Sequence, residues 1–416
     1  MCAARTQQWS RRTLHIERRL RNSQDHEAGL RRAQVRLRRW LLTDAYPLWG
    51  TSGWDSERGG FHELLGRYGP VADEPRRARV QVRQIYSFAR AASLGWDGET
   101  GGMIAEAWKY FFRHYRRADG LFRTLVAPDG GVLDDRAWLY DQAFVLLALA
   151  ECHRISAGSA THLTAARALL SRLVELLKRP GAGFYSGLPD GVPLLANPHM
   201  HLLEALQNWM LVDDDPSWRQ LADEIVTLAV DRLVDATSGA VFERFDADWI
   251  RLAGAADLLL EPGHQFEWAW LLQRAPESAA RPLLLNVARR LMRVGERYGV
   301  RQGFVVMAID GSTEEPSANA YSVRDGNARL WSQTERLKCA LALARQTGEE
   351  SYNAAAVDAA HVMLAYLEHP VPGLWYDCVS AGGEFIEQPA PASTLYHIVC
   401  ALEQLTIALH TSEQAP

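Results

Sequence analysis

Three histidines stand near the starts of apolar, helix-like segments, where buried side chains are expected. His201 lies in NPHMHLLEA (197–205), His264 in EPGHQFEWAWLL (261–272) and His397 in PASTLYHIVCALEQL (391–405). Histidine is the side chain whose ordinary pKa is nearest neutrality, so it can both remove and return a proton. One such histidine alone is typical of a satisfied core residue, whereas three in similar settings favour acid–base chemistry.

Two of these histidines begin an H-x-x-E pair, because Glu204 follows His201 and Glu267 follows His264. Residues three apart share a helix face, which predicts that each carboxylate orients its imidazole and raises its basicity. One alternative is an acid that complements a helix N-terminus. Another is a metal site built from two histidines and two carboxylates. The usual metal signature places Glu before His, and further carboxylates are not evident, so we predict no metal.

Other candidates for substrate binding come from aromatic helical segments. Arg83, in RVQVRQIYSFARA, would clamp sugar hydroxyls or an enediolate oxygen, with an outward salt bridge as the alternative. Trp331, in ARLWSQTERLKCALALA with Glu335, offers a flat face for stacking on a pyranose, although core packing is equally plausible. Tyr140 and Asp141, in WLYDQAF, are weaker candidates.

The elements that must position these residues repeat along the chain. A glycine followed by one or two large apolar residues and a polar hairpin-like stretch recurs at Gly60, Gly120, Gly183, Gly239, Gly303 and Gly373. The intervals of 56 to 70 residues each hold about two helices, which indicates a repeat architecture. With a helix near residues 29–48 completing the last pair, the pattern predicts an all-α (α/α)6 barrel of twelve helices in inner and outer rings.

An open α-solenoid is the competing architecture. Closure is favoured because the helix after each glycine phrase is rich in large apolar and aromatic residues, as an inner ring requires. The candidate residues lie 18 to 28 residues after the glycines, at Arg83, Asp141, His201, His264, Trp331 and His397. If the barrel closes, we expect these six equivalent positions to converge on one pocket at one end of its axis.

Composition limits the possible functions. The chain has 416 residues, 48% of them hydrophobic, and a formal net charge of −5, which argues against nucleic-acid binding. Neither a membrane-spanning run nor a secretory signal is evident, and five scattered cysteines predict reduced thiols and a cytoplasmic location. Residues 1–28 are predicted to be a basic, flexible extension, and residues 29–412 a single catalytic domain. P-loop, GxGxxG and GxSxG motifs are lacking, so we predict no cofactor.

Four segments together, 197–205, 261–272, RLWSQTERLKCA (329–340) and 391–405, resemble the N-acylglucosamine 2-epimerase superfamily. The resemblance runs from about residue 29 to the C-terminus and is stronger to the aldose–ketose isomerase branch, which includes mannose isomerase and the sulfoquinovose isomerases. It implies an (α/α)6 barrel and metal-independent proton transfer between C1 and C2 of an opened sugar, through a cis-enediolate.

The resemblance also implies roles for individual residues. His264 and His397 match the catalytic histidines of the family, and Glu267 matches the glutamate after the PGH histidine. Family residues that bind the substrate match His201, Asn197, Arg83 and, as a stacking residue, Trp331. The branch often carries an arginine about ten residues before the PGH motif, where this chain reads LAGAADLLLEPGH. This departure favours a neutral sugar.

We therefore expect an isomerase that interconverts D-mannose and D-fructose, extended to D-lyxose and D-xylulose, with a monosaccharide as its only partner and a monomeric or homodimeric state. A 2-epimerase of the N-acylglucosamine or cellobiose type is the alternative within the family. A phosphosugar isomerase is a further one, since EPRRAR (74–79) offers arginines for a phosphate. A glycoside hydrolase would need a carboxylate pair across the cleft, and a non-catalytic sugar-binding barrel would bind without turnover.

Overall fold

The computed structural model describes residues 23–156, 158, 160–189, 191–254, 256–275, 281–312 and 321–413. Within these ranges, the segments with helical periodicity form helices and the glycine phrases form short strands between them. The three helices with the clearest sequence periodicity span Ala160–Leu176, Pro216–Leu228 and Glu350–Tyr366. The prediction of an all-α architecture is therefore confirmed.

Twelve helical rods of the described chain alternate between two rings. The outer ring comprises α1 (Ser23–Trp40), α3 (Gly101–Tyr115), α5 (Ala160–Leu176), α7 (Pro216–Leu228), α9 (Arg281–Val294) and α11 (Glu350–Tyr366). The inner ring comprises α2 (Ala78–Leu94), α4 (Leu139–Ile155), α6 (Ala196–Trp209), α8 (Pro262–Gln273), α10 (Leu330–Thr347) and α12 (Ser393–Glu413). A π-helical turn and a short helix, Leu41–Ala45 and Tyr46–Thr51, extend α1, while π turns Ala229–Leu233 and Gly295–Gly299 extend α7 and α9.

Inner and outer helices differ in how much of their surface is covered. All twelve residues of α8 are buried, because its neighbours in the inner ring and its outer partner α9 surround it. In α9, by contrast, the buried residues form one stripe at helical spacing: Leu284, Val287, Ala288, Leu291, Met292 and Val294. The inner helices therefore carry the apolar and aromatic side chains that the sequence pattern predicted for them.

The inner ring is closed. Each inner helix packs against the next, and α12 packs against α2, which an open solenoid would not allow. At the chain's start, α1 packs against both α11 and α12 and so completes the last pair. The prediction of a closed (α/α)6 barrel is confirmed.

The first helix begins earlier than the sequence pattern indicated. Residues 23–28, assigned to the flexible extension, belong to α1, and residues 1–22 lie outside the described residues. Within this stretch His26 is buried and its Nδ1 is hydrogen-bonded to Glu350 of α11. The contact explains why the helix reaches back to Ser23 instead of beginning at the apolar positions near residue 30.

Nineteen strands of two or three residues occur in the described ranges. They are β1 Trp54–Asp55, β2 Gly60–Phe61, β3 Leu64–Gly66, β4 Gly69–Pro70, β5 Arg76–Arg77, β6 Leu125–Val126, β7 Val132–Asp134, β8 Ala137–Trp138, β9 Gly187–Leu188, β10 Leu194–Leu195, β11 Arg244–Phe245, β12 Leu259–Leu260, β13 Val300–Arg301, β14 Phe304–Val305, β15 Ala308–Asp310, β16 Val323–Asp325, β17 Ala328–Arg329, β18 Cys378–Val379 and β19 Ala390–Pro391.

Six antiparallel pairs among these strands link successive repeats. In each pair, the strand that directly precedes an inner helix bonds to a strand after the next glycine phrase: β5 to β6, β8 to β9, β10 to β11, β12 to β15, β17 to β18, and β19 to β3. The last pair joins the sixth repeat to the first, with Ala390 opposite Leu65. The strands thus close a second ring around the end of the barrel at which the inner helices begin.

A side chain in the first turn of five inner helices holds the glycine phrase against the helix. Gln81, for example, accepts a hydrogen bond from the backbone N–H of Phe61 at 2.7 Å and donates one to its carbonyl at 2.9 Å. The other four, which we call clamp residues together with Gln81, are Gln142, His199, Gln265 and Gln333. Glycine is required at the start of most phrases, because five phrase glycines adopt φ between +74° and +87°.

Candidate active site

In the five inner helices that have a clamp residue, the side chain two positions after the clamp faces the barrel axis. The residues that follow a clamp by two positions are Arg83, Phe144, His201, Glu267 and Glu335. On α12, His397 lies six residues after the end of β19, as Arg83 does after β5. All six side chains are buried, and all lie in the first two turns of their helices. They form the wall of one polar site inside the barrel.

The predicted set of equivalent positions is wrong for three of its six members. Asp141, His264 and Trp331 lie about one helical turn nearer the start of their helices than the axis positions do. The stretch between the glycine and the helix varies in length from repeat to repeat, so distance from the glycine does not fix helical register. Trp331 still contacts both His264 and His397, whereas Asp141 contacts Arg79.

His264 is bound by two carboxylates. Its Nδ1 donates to Oε1 of Glu243 at 2.8 Å, and its Nε2 lies 3.8 Å from Oε2 of Glu261. Burial alone would lower the pKa of His264, but the charges of Glu243 and Glu261 outweigh burial and raise that pKa well above 6.5. His264 is therefore an imidazolium at neutral pH.

The prediction that Glu267 orients His264 is wrong. His264 is the third residue of α8, and its imidazole is hydrogen-bonded to Glu243, which directly precedes β11. Glu267 instead lies 3.7 Å from Nδ1 of His201. Both of its oxygens are without a hydrogen-bond partner among the described residues. Burial, followed by the charge of Glu335, raises the pKa of Glu267 well above 4.5.

His397 has the opposite charge state to His264. Its Nδ1 donates to Oε1 of Glu335 at 2.9 Å, and the other oxygen of Glu335 lies 2.6 Å from Nζ of Lys338. Burial lowers the pKa of His397 well below 6.5, and the nearby charges of Arg83 and Lys338 lower it further. The ring is therefore neutral, and a carboxylate facing Nδ1 favours the tautomer with the proton on Nδ1 and a free electron pair on Nε2.

His201 belongs to a buried group with Glu204 and Tyr396. Glu204 lies 3.5 Å from Nδ1 of His201 and accepts a hydrogen bond from the Tyr396 hydroxyl. Burial lowers the pKa of His201 to about 4. The pKa of Glu204 falls to about 2, because hydrogen bonding to His201 and the charge of Lys338 overcome the effect of burial. His201 is thus neutral and points its Nε2 away from the carboxylate.

The predicted binding residues surround these histidines. The Trp331 ring lies between His264 and His397, with ring centroids 5.3 and 5.8 Å away. Arg83 donates to the Tyr140 hydroxyl at 2.7 Å, and the Tyr140 ring contacts His201 edge-on, with centroids 4.9 Å apart. These contacts connect the predicted histidines, the tryptophan and the Arg83–Tyr140 pair in one site.

Asn197 lies one turn before His201 on the same face of α6. Its buried Oδ1 has no hydrogen-bond partner among the described residues. A buried amide oxygen without a partner is costly, so a substrate hydroxyl group is a suitable donor for it. The fold thus brings the eight predicted residues to the same end of the barrel, and their roles stay predictions.

The site contains one group with the composition of a metal centre. Ligand atoms of His201, Glu204 and Glu267 lie within 4.8 Å of one another. However, Glu204 already accepts the Tyr396 hydroxyl, and the cations Arg83 and Lys338 act on the same group. Two resident cations oppose a third, and the absence of a metal stays a prediction that chelation tests.

Comparison with known proteins decides the family. A family model described as N-acylglucosamine 2-epimerase (GlcNAc 2-epimerase) matches residues 59–401. The chain belongs to the N-acylglucosamine 2-epimerase family. The barrel is similar to the structure of cellobiose 2-epimerase from Spirochaeta thermophila DSM 6192, with a TM-score of 0.81 and 20% identity over 92% of this chain and 98% of the other.

Two relatives place the chain in the mannose isomerase-like branch of the N-acylglucosamine 2-epimerase family. One, named mannose-6-phosphate isomerase, from Rhizobium meliloti (strain 1021), is 42% identical over 88% of this chain and 95% of its own. The other, named D-mannose isomerase, from Pseudomonas cannabina pv. alisalensis, is 30% identical over 54% of this chain and 57% of its own. Both names describe isomerases of mannose-type sugars, and the chain is an isomerase of this family. None of its described helices is long and apolar enough to cross a membrane.

The sequence did not reveal three charged partners in the site. Glu335 was noted only beside Trp331, although its place two residues after Gln333 identifies it once the clamp is known. Glu243 lies in a glycine phrase and reaches His264 only in the folded barrel. Lys338 is three residues after Glu335 on a helix face, yet its sequence context, RLKCA, does not distinguish it from a surface lysine.

Proposed function

We propose that this member of the N-acylglucosamine 2-epimerase family is an aldose–ketose isomerase that interconverts D-mannose and D-fructose through a cis-enediolate, without a metal. D-lyxose and D-xylulose form a second pair of substrates. One observation carries the proposal: two histidines, one with a lowered and one with a raised pKa, both contact the ring of Trp331. A base and an acid held beside the same stacking surface suit proton transfer next to a sugar carbonyl.

In the proposed reaction, Nε2 of His397 removes the proton from C2 of the open-chain aldose. The electron pair moves to the C1–C2 bond, and the carbonyl oxygen O1 receives a proton from His264. His264 then takes the proton of the O2 hydroxyl, and His397 returns its own proton to C1, which leaves a ketone at C2. Each histidine ends in its initial state, so atoms and charge balance.

The enediolate carries negative charge on its oxygens, and the cationic side of the site is suited to stabilise it. Arg83 would bind O1 or O2 with its guanidinium, and the neutral His201, whose Nδ1 faces Glu204, would accept a hydrogen bond from a sugar hydroxyl at Nε2. Donors already fixed in place stabilise developing charge more than water does, because they do not have to reorient. Asn197 and Tyr140 would bind the hydroxyl groups of the rest of the sugar.

The isomerase names of the relatives favour isomerisation over 2-epimerisation of the N-acylglucosamine or cellobiose type, the alternative within the family. Epimerisation needs an acid that delivers a proton to the opposite face of C2. A protonated His264 has the charge that this role requires. The charge states therefore fit both reactions, and the position of the label in the product separates them.

A phosphosugar isomerase is the second candidate, favoured by the name of the Rhizobium relative. The arginine run EPRRAR offers few free cations for a phosphate. Arg76 forms a buried ion pair with Asp55, and Arg77 is bound by both its Nε and Nη2 to Glu63, at 2.9 and 2.7 Å. These two arginines hold the hairpins in place and are not available to a ligand.

Arg79 is the remaining arginine of that run. It lies one turn before Arg83 on the same face of α2, with its guanidinium 5.5 Å from the centre of the Tyr140 ring. A single contact of 3.4 Å joins it to Asp141, whose own pKa is raised by burial. If a 6-phosphate is bound, Arg79 is the residue that would bind it.

The test compares three sugars with one enzyme. Purified protein treated with EDTA is incubated in D2O with D-mannose, mannose 6-phosphate or N-acetylglucosamine, and the products are followed by NMR. We expect D-fructose with deuterium at C1. Formation of the 2-epimer labelled at C2, without early ketose, would establish an epimerase, and loss of activity on chelation would contradict the metal-free mechanism.

Turnover of mannose 6-phosphate alone would replace the free sugar as substrate. In that case Arg79→Ala should raise KM for the phosphosugar about tenfold or more, because a charge-assisted hydrogen bond is lost. With free D-mannose as the substrate, the same variant should keep its KM. Binding of D-mannose without any turnover would instead support a non-catalytic barrel. Cytoplasmic location and a monomeric or homodimeric state stay predictions.

A further inference from the structure

One lysine lies deep inside the barrel, beneath the histidines. Lys338 on α10 is fully buried, with Nζ 2.6 Å from Oε2 of Glu335 and 3.8 Å from the centre of the Trp270 ring. An ammonium group is rarely buried unless nearby negative charges compensate for its lost hydration. The proposed reaction makes no direct use of Lys338, so its presence needs a separate explanation.

Three buried carboxyl groups from three inner helices share this single cation. The titratable side chains that act on Lys338 are Glu335 of α10, Glu267 of α8, Cys400 of α12 and Glu204 of α6. Among the carboxyl groups, Glu204 is bound by Tyr396 and His201, whereas Glu267 has no hydrogen-bond partner among the described residues. Of the carboxyl groups in the described part of the chain, Glu335 alone forms an ion pair with the ammonium.

Glu335 in turn holds the base of the proposed reaction, because its second oxygen accepts the Nδ1–H of His397 at 2.9 Å. Lys338, Glu335 and His397 therefore form a chain from α10 to α12. The hydrogen bond has this direction only while Glu335 is an anion. A protonated Glu335 would be able to donate to Nδ1, and the ring proton would then lie on Nε2, the atom that must accept the substrate proton.

We propose that Lys338 is a positioning residue whose ammonium keeps Glu335 anionic and so fixes the tautomer of His397 that leaves Nε2 free. Its catalytic consequence rests on the proposed function, but the tautomer itself does not. Burial raises the pKa of Glu335, and the charge of Lys338 opposes that rise. Loss of the lysine should therefore allow Glu335 to take up a proton near neutral pH.

The first experiment observes the tautomer directly. Protein labelled with 15N-histidine is studied by NMR at neutral pH, and the His397 signals are assigned from their loss in His397→Ala. We expect the Nδ1–H form in the native protein and a shift to Nε2–H in Lys338→Met, which keeps the length of the side chain. An Nε2–H form in the native protein, or an unchanged tautomer in the variant, would overturn the proposal whatever the enzyme's substrate is.

The second experiment measures kcat against pH. Lys338→Met should lose about 10- to 100-fold in kcat at pH 7, a part of the general-base contribution, with KM nearly unchanged. Since activity requires ionised Glu335 and the lost cation raises its pKa, kcat should recover as pH rises. The other charged and titratable groups that act on His397 are Arg83, His201 and Glu204, and the substitution changes none of them.

Two comparisons separate positioning from a structural role. The double variant Lys338→Met with Glu335→Gln should be no slower than Glu335→Gln alone, because Lys338 acts through Glu335. Additive losses, or a loss that is the same at every pH, would count against the proposal. Lys109→Met, at an exposed lysine of α3, is the matched control. If Lys338→Met does not fold, Lys338→Gln replaces it, and the native tautomer remains decisive.

Discussion

His264 and His397 are bound in nearly the same way and yet carry different charges. Each donates its Nδ1–H to a glutamate, at 2.8 Å for His264 and 2.9 Å for His397, and the ring of Trp331 lies between them. The pKa of His264 is nevertheless raised and that of His397 lowered, starting from the same 6.5. The first hydrogen-bond partner therefore does not determine the charge of the ring.

The second layer of neighbours explains the difference. Beside His264, Glu261 adds a second carboxylate to Glu243 and the imidazolium is stabilised. Beside His397, the glutamate is shared with Lys338, and Arg83 adds another cation, so a positive ring is disfavoured. His264 can therefore act as an acid and His397 as a base, although both are histidines. The difference arises from the charges around the glutamate that each one contacts.

Removal of the base should have the largest effect. His397→Ala should reduce isomerisation about 10³-fold or more, because general-base catalysis contributes up to about 10⁴-fold. It should also stop deuterium exchange at C2 of the aldose. Both are measured by NMR in D2O. His410→Ala, at an exposed histidine of the same helix, should leave the rate unchanged. Residual exchange in His397→Ala near the native rate would assign the base to another residue.

Removal of the charge of Glu335, the hydrogen-bond partner of His397, should have a smaller effect on kcat. Glu335→Gln keeps an acceptor for the Nδ1–H of His397 but removes its negative charge, which makes Nε2 less basic. We expect kcat to fall about 10- to 100-fold, within the range of a general-base contribution, and KM to change little. A rise in KM with kcat unchanged would indicate that Glu335 contributes to sugar binding instead.

The comparison of the two histidines also shows how far the sequence can lead. The fold could be predicted, because six glycine phrases and six apolar helices repeat at 56 to 70 residues and closure buries the richest faces. The identities of His201, His264 and His397 could be predicted as well, because a titratable side chain is conspicuous in an apolar helix.

Their partners could not be assigned in the same way. Spacing along one helix suggested Glu267 as the partner of His264. The imidazole instead donates its hydrogen bond to Glu243, which lies 21 positions away in a loop next to a strand. For His397 the partner is 62 positions away on the neighbouring helix. Helical periodicity predicts which residues share a face, whereas contacts between repeats depend on the length of each hairpin, which varies.

Loss of Glu243, the hydrogen-bond partner of His264, should move the alkaline limb of the pH profile. Native kcat/KM should rise as pH passes the lowered pKa of His397, below 6.5, and fall as pH passes the raised pKa of His264, above 6.5. Glu243→Gln removes a charge that raises the pKa of His264, so the alkaline limb should move to lower pH, with about a tenfold loss at any pH on that limb for a shift of about one pKa unit. The acid limb should not move. A shift of both limbs would mean that the two histidines are not independent.

The smallest effect is expected from the ring between them. Trp331→Phe keeps an aromatic surface but removes part of the area on which the sugar would stack, and stacking contributes about 0.5–1.5 kcal/mol. We expect KM to rise by about three- to tenfold, with kcat and both pH limbs unchanged, in steady-state kinetics with D-mannose. Uniform binding of this kind lowers KM without changing the chemical step. If the limbs instead move towards each other, Trp331 also separates the charged environments of His264 and His397, and the difference between the two histidines depends on it.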